Sequence, residues 1–174
     1  FKAGEFFQNN PFILPQLVQY VVSQANSGEN SLLVDAYCGG GLFGLSAAKE
    51  FKRVVGIEIS REGFEGARTN AQINRIDNAQ FFLGDASSIF QEIHTDTESV
   101  ALVVDPPRRG CDPEFLDQAI EFSPRRIVYV SCEPSTQARD AQVLLAAGYQ
   151  AVAAQPFDLF PQTRHVENVL TLVR

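Results

Sequence analysis

Two kinds of apolar pattern alternate along this chain. Short, almost unbroken apolar runs such as Leu32-Leu33-Val34, Val54-Val55-Gly56-Ile57, Val100-Ala101-Leu102-Val103-Val104 and Ile127-Val128-Tyr129-Val130 have the length and β-branched content of strands covered on both faces. Between them the apolar residues recur at helical spacing, over 12–22, around 45–48, over 62–73 and over 137–147. Further strands are predicted over 79–83, 149–154 and 168–173, with Gly148 capping the helix before the first of the last two. Strands alternating with helices in this order predict an α/β fold, a doubly wound and mainly parallel sheet.

Ahead of the first helix, Pro11 suits a helix start and the neighbouring asparagines suit capping. Turn chemistry accounts for most of that stretch. Gln8, beside Phe6 and Phe7, has no such duty and could hydrogen-bond the edge of a ligand.

The polar residues that matter stand where the strands end. Asp35-Ala36-Tyr37-Cys38-Gly39-Gly40-Gly41-Leu42-Phe43-Gly44 joins a strand to a helix through glycines, and Gly39, Gly41 and Gly44 satisfy G-x-G-x-x-G. Such a loop turns backbone N–H groups towards a crevice at the strand's carboxyl end. Asp35 changes what that crevice suits, because an acid there repels a pyrophosphate and attracts a cation. S-adenosylmethionine, with a sulfonium and an ammonium, fits better than a dinucleotide. Glu58 ends the next strand nineteen residues beyond Gly39, close to the offset of about 20 at which an acid meets ribose hydroxyls. Asp85 ends the third strand, positioned either for an adenine amine or as a helix cap.

After the fourth strand comes Asp105-Pro106-Pro107-Arg108-Arg109-Gly110. Paired prolines make a stiff turn without two N–H donors, which holds Asp105 and Arg108 in set directions. The fifth strand delivers Cys132-Glu133-Pro134-Ser135-Thr136 to the same edge. A thiol beside a helix N-terminus and Arg108 is expected to have a lowered pKa, as nucleophilic chemistry requires. His165 and Glu167 lie on a loop long enough to reach this edge and are candidate acid or base groups; His94 reads as surface.

Size and charge narrow the picture. The 174 residues suit one domain with a substantial core, and no apolar run is long enough to span a membrane. Three cysteines, Cys38, Cys111 and Cys132, without C-x-x-C spacing argue against a disulfide framework or a zinc site and for a reducing intracellular, cytoplasmic setting. A start at Phe1 and the absence of methionine predict a piece of a longer protein. The net charge of −7 disfavours unaided binding to a polyanion, so an RNA would be gripped locally or by other parts.

Phe7-Gln8-x-Asn10, Asp35-x-x-Cys38-Gly39-x-Gly41, Asp105-Pro106-Pro107-Arg108-x-Gly110, Ser131-Cys132-x-Pro134-x-Thr136 and His165-Val166-Glu167 occur in that order. Together they resemble the S-adenosylmethionine-dependent RNA uracil-5-methyltransferases over essentially the whole chain. The resemblance implies a Rossmann-like class I methyltransferase fold over residues 1–174, with an RNA-binding region preceding it. It implies S-adenosyl-L-methionine as cofactor and RNA as partner, tRNA favoured over rRNA, with no membrane and a monomeric state. Cys132 is then the nucleophile that adds to C6 of uracil, and Glu167 the base that removes the C5 proton. Gln8, Tyr37, Glu58, Asp85 and Asp105 become cofactor-binding residues, with Tyr37 packing on the cofactor, Glu58 on its ribose, and Arg108 supporting the uracil or its enolate. The family commonly carries Asn after the nucleophile where this chain has Glu133, which is expected to point outward.

Other readings fit parts of the chain. An RNA cytosine-5-methyltransferase would want a second cysteine at the Asp-Pro-Pro segment, where Cys111 comes too late, and nitrogen methyltransferases need no thiol. A non-catalytic donor- or RNA-binding scaffold would bind without turnover. A dinucleotide oxidoreductase is opposed by Asp35.

Overall fold

The computed structural model describes residues 10–26, 28, 32–93 and 97–174. Its elements are α1 (Leu14–Ala25), β1 (Leu32–Ala36), α2 (Leu42–Ala47), β2 (Arg53–Glu58), α3 (Arg61–Ile73), β3 (Ala79–Leu83), β4 (Val100–Val104), α4 (Pro113–Phe122), β5 (Arg126–Ser131), α5 (Pro134–Ala146), β6 (Gln150–Phe157) and β7 (Glu167–Val173). They form one seven-stranded sheet in the order β3-β2-β1-β4-β5-β7-β6, parallel from β3 to β5, with β7 antiparallel to both of its neighbours. The strand order reverses between β1 and β4, which opens a crevice at their carboxyl ends. This is the α/β doubly wound sheet that the alternating pattern predicts.

Every residue of β1 and β4 is buried, because helices cover both faces. Alternate side chains feed two cores. Val34, Leu102, Ile127 and Tyr129 pack with Phe115 and Leu144 of α4 and α5. Leu33, Val103, Val128 and Val169 pack on the opposite face with Leu17 and Val21 of α1 and Phe43 of α2. The spacing of Leu17, Val21 and Ala25 explains why α1 forms here, since one stripe buries against the sheet.

The structure moves some predicted boundaries. The first helix begins at Leu14, and Asn10 Oδ1 accepts the N–H groups of Phe12 and Ile13 in the turn before it. α4 is a helix beyond those the apolar spacing predicts, although Asp112-Pro113 starts it with Pro in the first turn and Phe115, Leu116 and Ala119 make its buried stripe. β6 runs on to Phe157 through Pro156, which an edge strand tolerates because one side of its backbone pairs with no strand among the described residues. No helix among the described residues is long and apolar enough to cross a membrane.

Leu102 is fully buried at the middle of β4, between β1 and β5. Leu102→Ala is expected to lower stability by about 2–5 kcal/mol, chiefly through the cavity it leaves, measured by denaturant unfolding.

Candidate active site

The carboxyl edge of the sheet gathers the acidic strand ends into a connected group. Asp35, at the end of β1, is completely buried beneath the glycine loop instead of facing an open crevice. Its Oδ2 accepts the Gly44 N–H of α2 at 2.7 Å, while its Oδ1 has no partner among the described residues. Residue 44 must be glycine for that approach, since a Cβ there would stand 2.9 Å from Oδ2 and 3.1 Å from Val54. Burial pushes Asp35 up to about 7 against the pull of the Gly44 N–H, with Asp105 and Glu58 adding to the rise.

Glu58 ties β2 to the loop. One oxygen accepts the Gly39 N–H at 2.8 Å and the other the Ser60 N–H at 2.7 Å. Tyr37 takes a left-handed backbone with φ of 62°, which costs a bulky residue about 1–3 kcal/mol. Its ring meets Phe115 edge-on at 5.4 Å, and its hydroxyl reaches Cys111. Asp85 caps the 3₁₀ turn Ala86–Glu92, accepting the N–H and hydroxyl of Ser87 at 2.9 and 2.7 Å. Those bonds, first the N–H, hold its carboxyl below its ordinary value. The capping alternative for Asp85 is therefore met, with its carboxylate still largely exposed. Gln8 and His94 lie outside the described residues.

A second group forms where β5 ends and β7 begins. The antiparallel register ends where Ser131 pairs with Asn168, so Cys132 and Glu167 are the next residues beyond the ladder, close enough for the carboxylate to act on the thiol. Cys38 and Cys111 are buried, whereas Cys132 is the one thiol of the three that is partly open. Ser131 Oγ accepts the Glu133 N–H at 3.0 Å and braces the turn. The expectation of a lowered thiol pKa is corrected here. Burial pushes the Cys132 thiol up, Glu167 and Asp105 push the same way, and Arg108 opposes them through a hydrogen bond and its charge. Proximity to a helix start is outweighed by desolvation and two carboxylates.

Burial also pushes Glu167 up to about 7. Asp105 is pushed up to about 8, by burial first and then by Glu167. Glu133 turns outward as expected, its carboxylate accepting the Ser135 hydroxyl at 2.7 Å. His165 is half-buried with its ring edge against Phe160 and its N–H donated to Thr163 Oγ1. No cluster of three metal-ligating side chains occurs among the described residues. An open apolar groove of about 460 Å³ between α1 and α2, lined by Leu14, Val18, Val22 and Leu42, offers no titratable group.

The whole chain, residues 1–174, matches the family described as tRNA (Uracil-5-)-methyltransferase. The chain belongs to this family. It is 45% identical, over its full length, to the tRNA (uracil(54)-C(5))-methyltransferase of Schizosaccharomyces pombe, and 40% identical to the enzyme of the same name from Saccharomyces cerevisiae. It covers 35% and 29% of those two proteins, about a third of the length of the curated relatives. Among solved structures, the Pyrococcus abyssi tRNA (uracil-54, C5)-methyltransferase in complex with S-adenosyl-L-homocysteine superposes with a TM-score of 0.83 at 34% identity, over 98% of this chain and 40% of that one. The Rossmann-like methyltransferase fold implied by the motifs is thus the fold of this family member.

Sequence reasoning singled out the acids and Cys132 but not the polar side chains behind them. Gln137 and Asp140 of α5 are buried and bonded around the site. Their only signal was polarity on the helix face that also carries the buried Ala141 and Leu144.

Asp35, Asp105 and Glu167 bind protons more tightly folded than at their ordinary values of 3.8, 3.8 and 4.5. Each contributes stability at low pH that is lost as pH rises through its folded value. The domain's melting temperature without ligand is expected to fall between about pH 4 and about pH 8. Asp105→Asn removes one of these titrations and should make the fall shallower, as thermal unfolding across that range would show.

Proposed function

We propose that this domain methylates C5 of a uridine in tRNA, with Cys132 as nucleophile, Glu167 as base and S-adenosylmethionine as donor. The observation that carries the reading is that the single partly open thiol stands just beyond the end of the β5–β7 ladder, within electrostatic reach of the buried Glu167 carboxylate. The names of the relatives support uridine 54 as the target.

The acids suit a cationic donor. Asp35 Oδ1 is buried and unpartnered, and a carboxylate so placed favours a positive ligand over a pyrophosphate. Glu58, already turned to the glycine loop, would hold the ribose; Asp85 would meet the adenine amine, and Asp105 would stand between donor and base. Gln8 and Tyr37 complete the proposed donor site. When bound, S-adenosylmethionine supplies an electrophilic methyl group on a sulfonium.

Uracil C5 is too weak a nucleophile to take that methyl unaided. The Cys132 thiolate solves this by forming a bond to C6, which pushes the C5=C6 electron pair into an enolate at the C4 oxygen. Arg108, beside the thiol, is placed to support that negative charge. Once C5 carries the methyl group, Glu167 removes the C5 proton, the C5=C6 bond reforms and the Cys132–C6 bond breaks to return the thiolate. A carboxylate with a pKa of about 7 suits this task, since it can both accept a proton and release it to water near neutral pH.

Trapping tests the scheme. Full-length protein, S-adenosylmethionine and a tRNA T-stem-loop carrying 5-fluorouridine should give a covalent complex on a denaturing gel, because fluorine cannot leave as a cation. Cys132→Ala should abolish it. With ordinary uridine, Glu167→Gln should accumulate the complex and slow turnover by about 10²–10⁴-fold. Donor binding without any adduct, or methylation surviving in Cys132→Ala, would overturn the mechanism; the former would favour a scaffold.

A further inference from the structure

The Asp105–Gly110 loop has little of its own backbone with which to hold itself. Pro106 and Pro107 carry no N–H. Asp105 N–H reaches Ala36 O only at 3.5 Å, and Gly110 N–H closes a turn on Pro107 O at 2.8 Å. The remaining grip comes from the first two turns of α5. Thr136 Oγ1 lies 3.0 Å from Arg108 O and equally far from Glu133 O, so its hydroxyl can donate to either. Arg139 Nη2 donates to Arg109 O at 2.9 Å. Asp140 Oδ2 accepts the Cys111 N–H at 2.8 Å. Three successive points of one loop, at residues 108, 109 and 111, are thus held from one helix.

Asp140 is the hinge pin of this arrangement. It is only 1% exposed, and a carboxylate so deeply buried persists only when donors surround it. Besides Cys111 N–H, its Oδ2 accepts the Tyr129 hydroxyl at 2.7 Å, and its Oδ1 takes the Arg139 guanidinium at 2.7–2.8 Å. It therefore joins β5, α5 and the loop, and orients Arg139 towards Arg109 O. Gly110 is shaped to this carboxylate: with φ of +83°, a Cβ there would stand 2.5 Å from Asp140 Oδ2 and 2.6 Å from Arg139 Nη2.

Cys132 lies two residues before α5, so the helix that follows the thiol also holds the peptide that bears Arg108. Facing the thiol are Glu167 from β7 and Asp105 and Arg108 from the loop, Arg108 being the one cation among them. We propose that Asp140 is a positioning residue that, through Cys111 N–H and Arg139, holds the Arg108 guanidinium against the Cys132 sulfur. The proposal rests on Cys132 being the reacting thiol.

Alkylation of Cys132 by iodoacetamide in the full-length protein, followed by mass spectrometry over a pH series, reads this directly. Arg108→Ala should slow the reaction near neutral pH by about threefold or more and move its profile to higher pH. Asp140→Asn should do the same, and the double variant should be no slower than Arg108→Ala alone. The sign is diagnostic. Asp140 does not itself face the thiol, and any direct effect of deleting its negative charge would speed alkylation, opposite in sign to loss of the Arg108 guanidinium. Faster alkylation in Asp140→Asn, or a lower melting temperature with an unmoved profile, would overturn the proposal. If Asp140→Asn does not fold, Arg139→Ala removes the half-exposed guanidinium that Asp140 directs to Arg109 O; a shift in the same direction supports the clamp and an unmoved profile overturns it. Alkylation needs neither RNA nor donor. Absence of the 5-fluorouridine adduct alongside the expected alkylation shifts would therefore count against the covalent mechanism while supporting the clamp.

Discussion

The backbone pairing of β5 with β7 is the interaction on which the site depends. β7 is inserted against the direction of the other central strands, so its first residue lies at the edge where the parallel strands end. That reversal is what brings Glu167 near Cys132 although they are far apart in the chain. The pairing is held from both sides. Val169, Thr171 and Leu172 are fully buried, with the Thr171 hydroxyl bonded to Gln24 of α1 at 2.9 Å. At its start, Gln137 Nε2 reaches Tyr129 O at 2.8 Å and Asn168 O at 3.1 Å, and Asn168 returns its amide N–H to Gln137 Oε1 at 2.6 Å. A slip of one residue would turn Glu167 away from the site and move Val169 to the opposite face of the sheet.

An apolar sheet that ends in acids carries a built-in opposition between stability and chemistry. Asp35, Asp105 and Glu167 are each raised by burial, with Asp105 adding to the rise at Asp35 and Glu167 to the rise at Asp105. Apolar side chains there would be cheaper for folding, and groups kept in spite of such a cost are candidates for function. The left-handed Tyr37 belongs to the same pattern: a strained backbone at a loop, held by packing on Phe115.

The α5 helix links these features. Its first turns touch the Arg108 loop through Thr136, Arg139 and Asp140 and touch the start of β7 through Gln137. The Cys132 thiol, the Arg108 loop and the start of β7 are consequently referred to one helix. Arg109 and Arg139, ion-paired with Asp112 and Asp140, leave much of their side chains in solvent beside this edge.

The strand and helix order, the parallel sheet and the strand-end positions of Glu58, Asp85, Asp105 and Cys132 were legible in the sequence, because periodicity and loop chemistry are local and act within a few residues. The motif order also carried the family. The pKa of Cys132 was not legible: a helix start and an arginine are visible in the chain, but desolvation and the approach of Glu167 arise only when β7 folds against β5. Nor was the burial of Asp35, whose carboxylate the sequence places at an open crevice and the packing of Gly44 closes over. The clamp at Asp140 and the bridge at Gln137 escaped for the same reason. Local sequence determines which elements form and which residues end them, whereas the dielectric around each residue and the partner across from it depend on contacts between distant segments, and those only the tertiary structure decides.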